Sequence, residues 1–312
     1  MKNEVRVFAP ATVANVAVGF DILGFAINAP GDEVVARRVD TPGLRIKTIS
    51  GDGGKLPYEV DKNTSGFAAR CLLQQLGKEE SGVELEIHKK MPFGSGLGSS
   101  AASAAAGVMA VNALFGMPVS KAESLHCAVL GEQVADGAYH ADNVAPSLLG
   151  GIVLIRSNKG LDIRHLPVPA ELHAAVVYPE VSILTKDARE VLSPTVSLQQ
   201  SIQQSGNLAG LMVGLYEADY ALIGRCLEDV IIEPQRAQLI PHFRQVKKAA
   251  LEAGALGCSI SGAGPSVFAL CRGAATAEAV AASMSRVFRE HNIPNHPYAS
   301  PINEEGAKII TA

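Results

Sequence analysis

Residues 83–115 constrain the fold of this 312-residue chain more than any other stretch. Residues 83–89 alternate apolar and polar side chains with the period of a strand. The chain then runs through Met91-Pro92-Phe93-Gly94-Ser95-Gly96-Leu97-Gly98-Ser99-Ser100 into Ala101, Ala102 and an Ala-dense segment that Gly116 and Pro118 stop. Alanine is the strongest helix former, so residues 99–115 are expected to be a helix. Three glycines at alternate positions reach backbone angles closed to other residues and leave the chain bare, so its N–H groups can approach anionic oxygens. The following helix aims unpaired N–H groups and the positive end of its dipole at the same point. Residues 92–102 therefore read as a phosphate loop, with a ligand-free Gly/Ser turn as the plain alternative.

Two familiar phosphate motifs fail on the residues themselves. No Lys follows these glycines, as G-x-x-x-x-G-K-[ST] requires. Counting G-x-G-x-x-G from Gly94 and Gly96 puts Ser99 where the third glycine belongs.

At 47% hydrophobic residues the chain fills the cores of two ordinary domains. A net charge of −4 gives no basic footprint for nucleic acid, so an anionic ligand has to be held by local devices. The N-terminal residues alternate like a strand and lack the apolar core of a signal peptide. The longest apolar run, residues 101–115, is too short to span a bilayer, and a cytoplasmic protein is expected. Five scattered cysteines show no C-x-x-C pair, so free and mostly buried thiols are expected.

Further strands are expected at residues 5–9, 151–156, 173–178 and 267–271. Helices are expected at 120–136, where Ser120-Lys121-Ala122-Glu123 fits a capping box, and at 197–204, 208–228, 242–253 and 277–291. The elements interleave without strict βαβ alternation, which favours an α+β arrangement. A polar turn cluster, Ser157-Asn158-Lys159-Gly160, suggests domains of residues 1–157 and 158–312.

Glu132 lies at helical spacing from Leu125, Ala128 and Val129, on the stripe expected to be buried. A carboxylate there needs either Mg²⁺, shared with a nearby phosphate, or a core Arg or Lys. His140, Asp142 and Asn143 crowd the loop before residues 148–151, as in the wall of a site or a stabilised turn. A second Gly/Ser loop, Gly257-Cys258-Ser259-Ile260-Ser261-Gly262-Ala263-Gly264-Pro265-Ser266, is a weak signal alone.

Together these features resemble the GHMP kinases, which include galactokinase and mevalonate kinase. Three motifs match in order across nearly the whole chain: Pro10-Ala11-Thr12-Val13-Ala14-Asn15-Val16-Ala17-Val18-Gly19-Phe20-Asp21-Ile22-Leu23-Gly24, the phosphate loop, and residues 257–266. The wording of the first looks most like the branch that phosphorylates homoserine. The resemblance implies an N-terminal domain of the ribosomal protein S5 domain 2 type, a C-terminal ferredoxin-like domain and an active site between them. It implies ATP held by Asn63, Pro92, Phe93, Gly94, Ser95, Gly96, Leu97, Gly98, Ser99, Ser100, Ala101 and Ala102, Mg²⁺ on Ser100 and Glu132, and a homodimer.

A zwitterionic substrate needs an anion for its ammonium and cations for its carboxylate. Asn15 and Asp21 suit the first, Arg189 and Arg236 the second; the arginine roles rest on the resemblance, as does a place for Gly262 in the substrate site. Where other family members carry a catalytic Asp, this chain has Asn143, which cannot accept a proton as a base. Direct attack by the substrate hydroxyl is therefore expected, with Asn143 and His140 orienting it and Asp142 as the rival base. A kinase of sugars or isoprenoid alcohols is the alternative, and a non-catalytic sensor on the same fold the more distant one.

Overall fold

In the computed structural model, which describes residues 3–137, 139–183 and 185–311, the chain folds around two sheets. Ala138 of the polar loop lies outside the described residues.

Burial alternates at the start of β1 (Glu4–Ala14), after which residues 9–14 are buried on both faces. β1 pairs antiparallel with β2 (Leu23–Arg38), a 16-residue strand whose Pro30 and Gly31 hide it from pattern reading. Then come β3 (Leu44–Ser50), a 3-10 turn, α1 (Thr64–Gln75), β4 (Val83–His88), α2 (Ser99–Leu114), α3 (Lys121–Asp136), α4 (Val144–Leu149), β5 (Ile152–Ser157) and β6 (Asp162–Leu166). The second half holds β7 (Leu172–Pro179), α5 (Thr185–Glu190), α6 (Leu198–Glu217), α7 (Tyr220–Cys226), α8 (Glu233–Arg236), α9 (Phe243–Glu252), β8 (Gly257–Ile260), β9 (Val267–Arg272), α10 (Ala274–Glu290) and β10 (Asn295–Pro301). The last strand, β11 (Lys308–Thr311), returns to pair with β1.

The first sheet runs β11-β1-β2-β4-β3, with β5 on the other half of β2 and β6 beyond it. The second runs β10-β7-β9-β8, all antiparallel, with α9 and α10 packed on it. In chain order its strands are 4-1-3-2, the ferredoxin-like arrangement that the motifs implied. α2 is the centre of the first half: every residue except Ser100 is buried. Its alanines let α1, α3 and the first sheet close around it, and Ser99, Ser100 and Ser103 of its first turns border a cavity. The expected capping box at Ser120 and Glu123 starts α3.

Three expectations change. Ser157 to Gly160 is the turn of the β5–β6 hairpin, and both strands belong to the first sheet. A boundary after residue 157 would divide that hairpin; by sheet membership the division lies between Leu166 and Leu172, with β11 belonging to the first unit. Turn residues serve hairpins and linkers alike, so composition could not separate them. The helices expected at 197–204 and 208–228 are one helix, α6, and a short α7, because Gly206 is tolerated mid-helix and the stop comes at Ala218. Finally, Cys71 and Cys127 form a disulfide between α1 and α3, while Cys226, Cys258 and Cys271 remain free and buried. The helices approach closely at Gly131, where a Cβ would lie 2.7 Å from the Cβ of Ala68, and no sequence spacing records that crossing. Among the described residues no helix is long and apolar enough to cross a membrane.

The sheets meet where Phe25 of β2 packs edge to face on Phe268 of β9, ring centroids 5.9 Å apart and both side chains fully buried. Phe25→Ala should cost about 3–5 kcal/mol by opening this contact. The measurement is the urea midpoint, and a shift no larger than that of an exposed substitution would contradict it.

Candidate active site

The residues 92–102 that read as a phosphate loop are held from beneath by a buried ion pair. Lys89, directly after β4, and Asp32, on β2, are both shut off from solvent and bonded to each other. The Lys89 ammonium also donates to Ser99 O (2.8 Å) and Ser103 Oγ (2.7 Å), tying β4 to the first turn of α2. Asp32 Oδ1 accepts from the N–H groups of Lys90 (2.8 Å) and Met91 (3.2 Å), and Oδ2 from the hydroxyls of Ser99 (3.3 Å) and Ser103 (3.2 Å). Burial pulls the Lys89 pKa down, against the charges of Asp32, Glu132 and Asp52. A buried pair persists when its remaining donors and acceptors are satisfied, as here.

From above, the loop is clasped by the other two motifs. Thr12 N–H donates to Leu97 O (3.0 Å), Ser266 N–H to Ser95 O (3.1 Å) and Ser261 Oγ to Gly96 O (2.7 Å). The flanking motifs bond to each other through Gly262 N–H to Ala14 O (3.2 Å) and Asn15 Nδ2 to Gly262 O (2.9 Å). The glycines are required by this approach. At Gly96 (φ +74°) a Cβ would sit 2.5 Å from Ser261 O, and at Gly98 (φ +68°) 2.1 Å from Thr12 Oγ1.

The clasp encloses a cavity of about 320 Å³, lined by Phe93, Gly94, Ser95, Gly96, Gly98, Ser99 and Ser100 of the loop, by Asn63 and Lys89, and by Glu132 and Asn143 at its far end. The first intrahelical bond of α2 is Ala102 N–H to Gly98 O, so the preceding N–H groups of Ser99, Ser100 and Ala101 have no helical acceptor. Ser100 Oγ donates to Glu132 Oε1 at 2.7 Å, a hydroxyl and a carboxylate side by side beside that helix N-terminus.

A smaller cavity, about 60 Å³, shares Glu132, Asn143, Gly262 and Ala263 with the first and is completed by Asn15, Asp21, His140, Asp142, Arg189 and Arg236. Arg189 grips Asp21 in a two-bonded fork, Nη1 to Oδ2 at 3.0 Å and Nη2 to Oδ1 at 3.1 Å. Arg236 is buried, donating to Ala188 O (2.7 Å) and Gly262 O (3.1 Å). Burial, and then the charge of Arg189, lower its pKa to about 10, so it stays cationic at neutral pH and would be relieved by an incoming anion. Both guanidinium groups lie over the Phe20 ring, at 5.6 and 5.0 Å.

Two family models match the chain, the GHMP kinases N terminal domain over residues 63–151 and the GHMP kinases C terminal over residues 211–290. The homoserine kinase of Chlorobium phaeovibrioides is 48% identical over 319 residues, covering 99% of this chain and 100% of that protein. A crystal structure of homoserine kinase from Cytophaga hutchinsonii superposes with a TM-score of 0.97 at 51% identity, covering 99% of this chain and 98% of the other. The chain belongs to the homoserine kinase branch of the GHMP kinases. Mevalonate kinase of L. major, 16% identical with a TM-score of 0.72 over 97% of this chain and 98% of that one, shares the fold.

In this GHMP kinase most residues singled out from the sequence gather at the two cavities, with exceptions that have physical reasons. Leu97, Ala101 and Ala102 are fully buried, and their side chains belong to the core; Pro92 does not line the cavity either. Asn63 lines the cavity but also caps α1, accepting from Gly66 N–H (3.1 Å) and donating to Pro57 O (3.0 Å). Asp21 and Arg189, assigned to opposite ends of a zwitterion, are bonded to each other. His140 Nδ1 is buried with no hydrogen-bond partner among the described residues. Asn143 Oδ1 accepts from the wholly buried Thr12 hydroxyl at 2.8 Å.

Sequence reading misses Thr12, Asp32, Lys89 and Phe20 as parts of the site. Three of them lie within or beside the motifs, but their partners are distant in sequence and no local pattern names them. All three Lys89 donors are taken, so it acts by positioning the loop. Asp32→Ala should lower stability by about 3–5 kcal/mol by leaving a buried charge unpaired. Combined Asp32→Leu and Lys89→Met should recover most of that stability, yet leave the KM for ATP raised because the loop has lost its anchor. Denaturant unfolding and steady-state kinetics check both halves, and full recovery of KM with stability would contradict the anchoring role.

Proposed function

We infer that this kinase transfers the γ-phosphoryl group of ATP to the side-chain hydroxyl of L-homoserine, giving O-phospho-L-homoserine for threonine biosynthesis in the cytoplasm. The observation that carries this reading is the shared wall. A cavity built for phosphates meets one built for a small zwitterion at Glu132, Asn143, Gly262 and Ala263.

ATP phosphates occupy the larger cavity, against the loop N–H groups and the positive end of α2. Ser100 and Glu132 are hard oxygen donors suited to Mg²⁺, which would offset phosphate charge when bound; among the described residues there is no larger group of acidic, His or Cys ligands, so phosphate and water would complete the shell. In the smaller cavity the substrate ammonium takes Asp21 and its carboxylate takes Arg189 and Arg236, so the zwitterion exchanges the Asp21–Arg189 fork for two charge-assisted contacts. An isoprenoid alcohol or a neutral sugar has no ammonium to offer Asp21.

The substrate hydroxyl lies at the shared wall, oriented by His140 and by the Asn143 amide, whose carbonyl Thr12 already holds. Its oxygen forms a bond to the γ-phosphorus as the bond to the ADP oxygen breaks, and its proton passes to the transferred phosphoryl group. Placement and charge supply the rate, as is general for phosphoryl transfer.

ADP release should be measured with MgATP and homoserine, mevalonate, galactose and shikimate in turn. Turnover is expected with homoserine; clear turnover with another alcohol and none with homoserine would overturn the substrate. Glu132→Ala should lower kcat on the order of 10²–10³-fold, and Asp142→Ala less than about tenfold if no base operates. Equal losses would make Asp142 the base. Arg236→Lys should raise the KM for homoserine roughly tenfold, since an ammonium cannot reproduce the guanidinium fork.

The homodimer that the resemblance implies also belongs to this reading.

A further inference from the structure

Three stretches far apart in the chain meet at one buried hydroxyl. Thr12, in β1, is wholly closed to solvent, and its Oγ1 donates to Asn143 Oδ1 at 2.8 Å. Its backbone N–H donates to Leu97 O at 3.0 Å, so one residue holds both the phosphate loop and the amide at the wall shared by the two cavities. Gly98, the residue before α2, leaves room for the pair: a Cβ there would lie 2.1 Å from Thr12 Oγ1 and 3.0 Å from Asn143 Oδ1. Asn143 stands just ahead of α4, where an Asn side chain ordinarily caps the helix. It makes no such bond here, and its carbonyl goes to Thr12 instead.

An amide side chain has an accepting face and a donating face, and a half-turn exchanges them. Among the described residues Asn143 Oδ1 is the one acceptor that takes the Thr12 hydroxyl proton. A buried hydroxyl deprived of its acceptor is costly, so Thr12 keeps the carbonyl turned toward itself. The amide nitrogen is left with two N–H donors and no hydrogen-bond partner among the described residues. What Asn143 offers to the ligands at the shared wall is therefore a donor. A substrate hydroxyl oxygen that accepts one of these N–H groups keeps a second lone pair for phosphorus, and its proton faces the phosphoryl oxygens. Turned round, the amide would instead draw that proton to a carbonyl that cannot take it up.

We propose that Thr12 is a positioning residue for phosphoryl transfer, fixing Asn143 in its donating orientation and in register with the phosphate loop. This role rests on the proposed transfer to homoserine and adds the group that decides which face of the amide meets the substrate. In the step it serves, the attacking oxygen bonds to the γ-phosphorus and the bond from phosphorus to the ADP oxygen breaks. The hydroxyl proton ends on the transferred phosphoryl group, and Thr12 is unchanged.

Thr12→Val keeps the shape of the side chain and the backbone bond to Leu97 while removing the hydroxyl. With MgATP and homoserine, kcat should fall on the order of 10²-fold while the KM for each substrate changes little, because the amide is free to turn. Thr12→Ser restores the hydroxyl and should bring kcat back close to the wild-type value. Adding Thr12→Val to Asn143→Ala should lower kcat no further than Asn143→Ala alone, since Thr12 acts through the amide. Urea midpoints identify the folded variants, and Thr12→Ala, which puts no methyl group in place of the hydroxyl, reads the same quantity if Thr12→Val does not fold. A wild type that turns over homoserine with Thr12→Val equally fast would overturn this role alone. So would a Ser variant as slow as the Val one, or an undiminished further loss in the Asn143→Ala background. No homoserine turnover by the wild-type chain would overturn the transfer and this role together.

Discussion

A glycine-rich loop with its backbone bared has few side chains of its own to hold it in place, and the structure turns on how that is solved. Lys89 and Asp32 lock its underside to β2 and α2, and Thr12, Ser261 and Ser266 lock its upper side to the other two motifs. Removing the side chains at positions 96 and 98 allows the second group of contacts, because the neighbouring backbone and hydroxyl oxygens stand where a Cβ would be. The glycines therefore bare the loop and admit the clasp together, and the rigidity of the loop comes from contacts made elsewhere.

The same economy governs the smaller cavity. Asn15, Val16, Ala17 and Asp21 all hold positive φ, a conformation that non-glycine residues keep only when their surroundings over-determine it. Here Gly262 fixes Asn15, Asn15 Oδ1 receives the Asp21 N–H at 3.0 Å, and Arg189 holds the Asp21 carboxylate. Strain in the first motif thus holds the Asp21 carboxylate at the smaller cavity, against Arg189. The two guanidinium groups over Phe20 concentrate positive charge beside it, and the Arg236 pKa is lowered first by burial and then by the charge of Arg189.

Much of this is legible in the residues. The strand, loop and helix of 83–115, the capping box at Ser120, the pairing of Ser100 with Glu132 and the ferredoxin-like half stand at or near their expected places, because period, glycine spacing and motif order are local signals. The 16 residues of β2 escape the pattern because Pro30 and Gly31 interrupt it, although the strand shifts register with β1 there and pairs with different neighbours, β4 and β5, on either side. The Cys71–Cys127 disulfide escapes it because it joins two helices whose crossing has no sequence period. Ala101 and Ala102 read as ligand contacts because they sit in the motif, whereas their side chains fill the core behind it.

By itself the sequence determined a bare Gly/Ser loop between a strand and a helix and a carboxylate on the buried stripe of the next helix, because these depend on residue type and short-range spacing, which the chain carries directly. The parts expected of Asp21, Asn143, Arg189 and Arg236 came only with the family resemblance. Only the tertiary structure decided which groups face one another. It placed Asp21 against Arg189 across 168 residues and Thr12 against Asn143 across 131, and it sent β11 back to β1 to close the first sheet. Contacts of that range follow from how the sheets and α2 pack, and no local stretch of the chain contains them.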